Sequence, residues 1–358
     1  MNIKKLVVPN VQRLTAYSAK EIPCKVKLDA NESPFSVFEG SRGLASGESP
    51  WRQRVKVQKT LQKLNRYPDP EAKELKKILA KNLGVNPENI LLGNGSDELI
   101  YYLITTFGGP ALYPTPTFSM YGIISQALGQ KKIEIPLDNE FDLDTEKILN
   151  AVKRDKPKLI FLSSPNNPTG NCFSSERILK IISASKGIVV VDEAYQPFSS
   201  EKGFLPLSSD YKNLIILRTL SKIGFAGLRV GFMIAEKDII DEVNKVRLPF
   251  NVNSLSQSIA ISALRQKKSL NAVIRAIISE RERLMEAMEK IKGIKPYPSE
   301  ANFILFKAAN SDKIYAKLLK KGVLVRNMKG VVNGGLRVTV GTEQENNIFI
   351  KALRGVMK

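Results

Sequence analysis

Apolar runs of strand length alternate with amphipathic helical patterns through the first two thirds of this 358-residue chain. That alternation predicts an α/β fold, with a large domain of mostly parallel sheet flanked by helices and a smaller α+β domain after it. Three observations carry the prediction. Strand-like runs recur at 89–92, 131–135, 158–162, 188–192 and 214–217, several of them unbroken and β-branched, as strands buried on both faces read. Helical patterns lie around them near 54–64, 70–83, 96–106, 117–128 and 144–154. After Asp238 the order changes. One long helical region extends to about 291, strand runs Asn302–Phe306, Val323–Arg326 and Leu336–Val340 flank a helix, and a last helix closes the chain.

Four of these elements end in residues with chemistry. The run Leu214–Leu217 leads through Thr219 and Ser221 to Lys222, then to a glycine-rich stretch and Arg229. A lysine amine is a nucleophile toward carbonyls when its pKa is lowered. Hydroxyls before it and an arginine after it suit a phosphate bound alongside. The run Gly187–Val191 ends at Asp192, with Tyr195 three residues on. Ligands of open α/β sheets bind outside such carboxyl ends, and a buried aspartate there calls for a cation or donors. The run Lys158–Leu162 turns through Ser-Ser-Pro-Asn-Asn-Pro-Thr-Gly, where Asn167 can present an amide to a ligand oxygen. Ile90–Gly93 followed by Asn-Gly-Ser-Asp-Glu, with Ser96 and Asp97 opening a helix, is a strand–turn–helix anion site. Read singly, each has a plainer alternative: a solvated lysine, a helix cap, a turn, an N-cap.

In this order the motifs GNGSDE, SPNNPTG, VVVDEAY, TLSK and GLRVG resemble the fold-type-I pyridoxal-phosphate aminotransferases. The segments LDANESP near the start, NRYPDP, LVRNM and LRVTVGT narrow the resemblance to the histidinol-phosphate aminotransferase family, from about residue 14 to the C-terminus. The resemblance implies pyridoxal 5'-phosphate as cofactor and Lys222 as its Schiff-base lysine and proton-transfer base. Asp192 would hold the ring nitrogen protonated, and Asn167 and Tyr195 would bond the ring's 3-oxygen. Ser96, Asp97, Ser221 and Arg229 would hold the phosphate, and Phe118 would stack on the ring. Tyr67 would reach the phosphate of the neighbouring subunit's cofactor in a homodimer. Arg326 and Arg337 are the candidates for substrate phosphate and carboxylate, with Tyr17 and Asn31 near the substrate's other end. A surface salt bridge is the plainer reading of Arg326, and a core phenylalanine that of Phe118. The implied organisation is an N-terminal segment 1–35 packed with a small domain 241–358, and a large cofactor-binding domain 36–240.

The implied reaction is reversible amino transfer between L-glutamate and imidazole-acetol phosphate, giving L-histidinol phosphate and 2-oxoglutarate in histidine biosynthesis. A threonine-phosphate decarboxylase or an aromatic or broad-specificity aminotransferase is the alternative within the same fold. Two departures stand out: an inserted stretch around 40–51, and a Lys222–Arg229 spacing one residue shorter than the family commonly shows.

Composition excludes other classes. There is no histidine, so Ser-His-Asp and Cys-His catalysis and histidine-based metal sites are out, and no metal is expected. Two distant cysteines, Cys24 and Cys172, suggest neither a disulfide framework nor a metal cluster, and a reducing cytoplasm is the simplest setting. No apolar run approaches membrane-spanning length. The net charge of +20 raises nucleic-acid binding as a reading from another class. The lysines, however, are mixed with glutamates along helical patterns such as 72–81, and no basic run is interleaved with aromatics. A positive field also suits phosphorylated and dicarboxylate substrates.

Overall fold

The computed structural model describes residues 7–15, 22–35 and 60–357. Most of the helical pattern at 54–64, the insertion around 40–51 and Tyr17 lie outside these residues. The first sheet contains β2 (Ile90–Asn94), β3 (Ala111–Thr115), β4 (Lys132–Pro136), β5 (Leu159–Ser163), β6 (Ile188–Asp192), β7 (Leu214–Thr219) and β8 (Val230–Ile234). Their order is β2-β8-β7-β6-β5-β3-β4. All neighbours are parallel except β8, which runs antiparallel to both β2 and β7.

Strand periodicity divides the apolar side chains between two layers. Ile160, Leu162, Val189, Val191, Leu214 and Ile216 face one core with the helices Lys73–Leu83, Thr145–Asp155 and Ser175–Ala184. Leu159, Phe161, Val190, Ile215 and Leu217 face the other with Ser96–Phe107, Met120–Ala127 and Lys237–Asn244. The helices start and stop where their end residues dictate. Asp144 accepts from the Lys147 amide at 3.1 Å and Ser174 from that of Arg177 at 3.4 Å, both as N-caps. Gly84, at φ 73°, ends Lys73–Leu83.

The second sheet has the order β1-β11-β12-β10-β9, from β1 (Val26–Leu28), β9 (Ile294–Pro296), β10 (Phe303–Ala308), β11 (Val323–Asn327) and β12 (Gly335–Thr339). β1 pairs parallel with β11, so N-terminal residues complete a sheet of C-terminal ones. The core is continuous between the sheets: Val26, Phe303 and Val323 belong to the same buried cluster as Ile160 and Val191.

The expected long helix from 238 to about 291 is three helices, Lys237–Asn244, Ser254–Leu264 and Lys267–Glu289. Pro249 removes a donor and clashes with the preceding turn, and Phe250 sits at φ 58°, so no helix crosses that point. Periodicity also passed over β1, β3, β8 and β9. β3 reads Ala-Leu-Tyr-Pro-Thr, and its proline conceals a buried strand. β8 follows Arg229 so closely that it reads as part of the glycine-rich stretch.

The topology matters because parallel strands deliver their carboxyl ends to one edge. β2, β5, β6 and β7 all end there. The antiparallel β8 begins there, bringing Arg229 to the same edge. Gly231 lets β8 pass against the start of the helix Ser96–Phe107: a Cβ at Gly231 would lie 2.5 Å from the Ser96 nitrogen and 2.6 Å from the Gly95 carbonyl carbon. Both neighbours are backbone and cannot turn aside. Gly231→Ala is expected to cost about 1–3 kcal/mol of stability, the range for overpacking, measured by urea denaturation of the cofactor-free protein.

Candidate active site

Asp192 is the last residue of β6 and 3% exposed. Its Oδ2 accepts from the Tyr121 hydroxyl at 2.7 Å and its Oδ1 from the Ala194 amide at 3.1 Å. Burial pushes its carboxyl up to about 6. The two hydrogen bonds and the positive field of Lys222 oppose that shift, and Asp97 adds to it.

Lys222 follows β7 in a short turn of 3₁₀ helix, Ser221–Ile223. Its Nζ lies 5.6 Å from the centre of the Tyr195 ring. Ser221 is buried; its amide donates to the Thr219 Oγ1 at 3.1 Å, and its own Oγ accepts from the Thr219 hydroxyl at 2.9 Å. The helix Ser96–Phe107 begins beside this turn. Gly95, at φ 84°, occupies the N-cap position, so neither Ser96 nor Asp97 caps the helix with its side chain. The first N–H groups of that helix have no acceptor within it. The Arg229 guanidinium reaches over them and pairs with Asp97 at 3.1 Å. The φ of 84° at Gly95 is one that side-chain-bearing residues rarely adopt, and a Cβ there, 2.5 Å from Arg229 Nη2, would push the guanidinium aside.

The second sheet closes the site from the other side. Asn31, just after β1, is buried at φ 53°. Its amide donates to the Tyr195 hydroxyl at 3.0 Å. Its own carbonyl accepts from Asn302 and its backbone N–H donates to Thr339, both at 3.0 Å. Arg337, on β12, donates to the Asn167 side-chain oxygen at 2.5 Å and to the Asp29 carbonyl at 2.9 Å. Its guanidinium lies 5.1 Å from the Phe303 ring centre, and Tyr195 meets the same ring edge-on. Arg326, on β11, is directly opposite Arg337. Among the described residues it has no ion pair, so the surface salt bridge is not observed there. Phe118 is half-buried and edge-on to Tyr121 at 5.6 Å.

Lys222, Asp192, Tyr195, Asn31, Asn167 and Arg337 thus form one connected cluster, and Ser96, Asp97, Ser221 and Arg229 form a second group at the same sheet edge. Tyr67 stands apart. It is 82% exposed and stacks on Phe250 with ring centres 4.5 Å apart.

Residues 26–353 match the family of aminotransferases of class I and II. The chain belongs to the class I and II aminotransferases. It is 42% identical to a histidinol-phosphate aminotransferase of Aquifex aeolicus over 99% of this chain and 98% of that one. It is 40% identical to a histidinol-phosphate aminotransferase of Caldanaerobacter subterraneus subsp. tengcongensis, over 99% of both. The fold matches a histidinol-phosphate aminotransferase of Sinorhizobium meliloti solved with pyridoxal-5'-phosphate, with TM-score 0.84 at 24% identity over 98% of this chain and 97% of that one.

The family is pyridoxal-phosphate-dependent, and the donor set of this aminotransferase fits that group. A buried carboxylate with two neutral donors is completed by a protonated ring nitrogen. Open helix N–H groups beside an arginine and a serine are completed by a phosphate.

Sequence reasoning passed over Tyr121, Asn302 and Thr339. Tyr121 was visible three residues after Phe118, on the same helical face, but nothing in the pattern pointed it at Asp192. Asn302 and Thr339 act through contacts with Asn31 across the fold.

The raised carboxyl of Asp192 has a consequence for stability. Its folded pKa lies above the unfolded value of ~3.9. Stability from holding that proton is therefore fully present below about pH 4 and is lost as pH rises through about 6. Asp192→Asn cannot ionise. In cofactor-free protein it is expected to gain about 3 kcal/mol on the wild type between pH 4 and pH 8, at ~1.4 kcal/mol per tenfold change in proton affinity. Urea denaturation at the two pH values measures this difference.

Proposed function

We infer that this aminotransferase moves an amino group reversibly between L-glutamate and imidazole-acetol phosphate, giving L-histidinol phosphate and 2-oxoglutarate. The class of reaction follows from the family. The substrate rests on the named relatives and on one observation, the Arg326–Arg337 pair. Two arginines directly opposite on antiparallel strands share a face, where like charges repel. An anion bound between them relieves that repulsion. The phosphate of one substrate and a carboxylate of the other would supply it in the two half-reactions.

Pyridoxal phosphate supplies an electron sink for the carbon that loses and regains a proton. The protein's residues do the rest. Lys222 would carry the cofactor between turnovers and move the proton when released. Asp192 would hold the ring nitrogen protonated. Tyr195, backed by Asn31, and Asn167, backed by Arg337, would bond the ring's 3-oxygen. Ser96 and Asp97 through their N–H groups, with Ser221 and Arg229, would bind the phosphate, and Phe118 would cover the ring. The absence of histidine leaves lysine, tyrosine and carboxylates for proton transfer, and Lys222 is the lysine in the cluster.

A homodimer and a cytoplasmic setting belong to the same proposal. The exposed Tyr67 and the exposed apolar side chains Leu61, Leu64 and Leu248 lie on two segments joined by the Tyr67–Phe250 stack, which suits a second subunit. Cys24 and Cys172 are both free, and no described helix is long and apolar enough to cross a membrane. We also propose the division into a segment 1–35, a cofactor-binding unit 36–240 and a C-terminal unit 241–358, which the place of β1 in the second sheet supports.

The deciding assay is amino transfer from glutamate to imidazole-acetol phosphate, with aromatic keto acids and threonine phosphate run beside it. Release of carbon dioxide from threonine phosphate instead would replace transfer by decarboxylation. Borohydride reduction should fix the cofactor on Lys222, and Lys222→Ala should retain the cofactor without multiple turnover; an adduct mapped to another lysine refutes the assignment. Arg326→Ala should raise the Michaelis constant for histidinol phosphate by the equivalent of about 1.5–3 kcal/mol, the range for hydrogen bonds to charged groups. Its effect on the glutamate half-reaction should be smaller, whereas Arg337→Ala should impair both.

A further inference from the structure

We propose that Tyr121 is a positioning residue for the cofactor contact at Asp192: its hydroxyl holds the Asp192 carboxylate ionised and in one orientation. This rests on the pyridoxal-phosphate reading above and extends it to a residue outside the cofactor's direct contacts.

Tyr121 sits in the first turn of the helix Met120–Ala127 and is fully buried. Its ring is clamped, stacked on Phe161 with centres 4.8 Å apart and planes 10° apart, and edge-on to Phe118. The hydroxyl therefore has little freedom, and it ends 2.7 Å from Asp192 Oδ2. The other carboxylate oxygen takes the Ala194 amide from the strand's own turn. One donor is fixed by the local chain and the other by a rigid ring from a different element. Together they set the plane of the carboxylate.

Charge points the same way. The titratable groups that act on Asp192 are Lys222 after β7, Asp97 on the helix Ser96–Phe107, and Tyr121 itself. Tyr195 acts electrostatically on Tyr121 in turn. Among these, burial and Asp97 favour a protonated Asp192, and Tyr121, the Ala194 amide and Lys222 favour the ionised form. A neutral acid at this position could not hold a protonated ring nitrogen by charge. Tyr121 remains a donor throughout, because burial and the neighbouring Asp192 hold its own proton far above the usual range.

Tyr121→Phe removes one oxygen and keeps the stacked ring, so the variant is expected to fold. Two measurements test the role. Cofactor-free protein is titrated with pyridoxal phosphate, and the dissociation constant should rise about tenfold or more, as loss of a charge-assisted hydrogen bond predicts. The stability of cofactor-free variant and wild type is compared at pH 5 and pH 8. Without the hydroxyl Asp192 holds its proton to higher pH, so the deficit of the variant should widen toward pH 8. A merely space-filling Tyr121 would give the same deficit at both pH values. A flat result in either measurement overturns the proposal. Wild-type protein reduced with borohydride is the control. If it carries no adduct, the cofactor reading itself fails; if it does and Tyr121→Phe behaves as wild type, only the role of Tyr121 falls.

Discussion

A carboxylate held in the interior, at the end of a parallel strand, is the constraint around which the molecule is arranged. Asp192 lies where β6 stops, with β5 and β7 on either side. An ionised group there is costly unless its oxygens are met. The fold meets them with a backbone amide from the same chain turn and with a hydroxyl from the helix across the sheet. Strand direction adds the other groups. β7 ends at the turn carrying Lys222, β2 ends at an open helix start, and β8 reverses so that Arg229 arrives beside both.

The next residue, Glu193, anchors the strands that carry this chemistry. Its side chain is fully buried and accepts from the Arg218 Nε and Nη2 at 2.9 and 2.7 Å, while its other oxygen accepts from the Phe204 amide. Its own N–H donates to the Leu217 carbonyl. A buried ion pair is weak support for stability, because desolvation offsets most of the attraction. Its geometry is demanding, however, and it ties the ends of β6 and β7 to one another within a few residues of Asp192 and Lys222.

The second sheet supplies what the first lacks. Neither Arg326 nor Arg337 belongs to the large sheet, yet Arg337 bonds Asn167 and Asn31 bonds Tyr195. The parts of the chain around the two sheets are also joined away from the site. The Glu300 amide donates to the Gly170 carbonyl at 2.7 Å, and Glu300 in turn accepts from Ser200. The buried Arg281 on the helix Lys267–Glu289 donates to the carbonyls of Phe198 and Ala301. Small shifts between the sheets would therefore move the arginine pair relative to Lys222.

What the sequence determined by itself is local. Unbroken apolar runs forced buried parallel strands, so Asp192, Asn167 and Lys222 had to fall at carboxyl ends, and glycines at 93 and 95 announced a tight turn into a helix. Order and spacing of the motifs then fixed the family, which carried the roles of residues whose patterns alone read as turns and caps. The tertiary structure decided everything that depends on register and long-range contact. Whether Arg326 faces Arg337 is a matter of one residue of strand register, and a slip by one would turn the side chain to the other face. Asn31 reaches Tyr195 only because β1, near the start of the chain, pairs with β11 near its end. Tyr121 reads in sequence as one more apolar residue of an amphipathic helix; only the packing of that helix across the sheet aims its hydroxyl at a carboxylate 71 positions away. Periodicity reports which face of an element is buried, and it is silent on which buried neighbour each polar atom will meet.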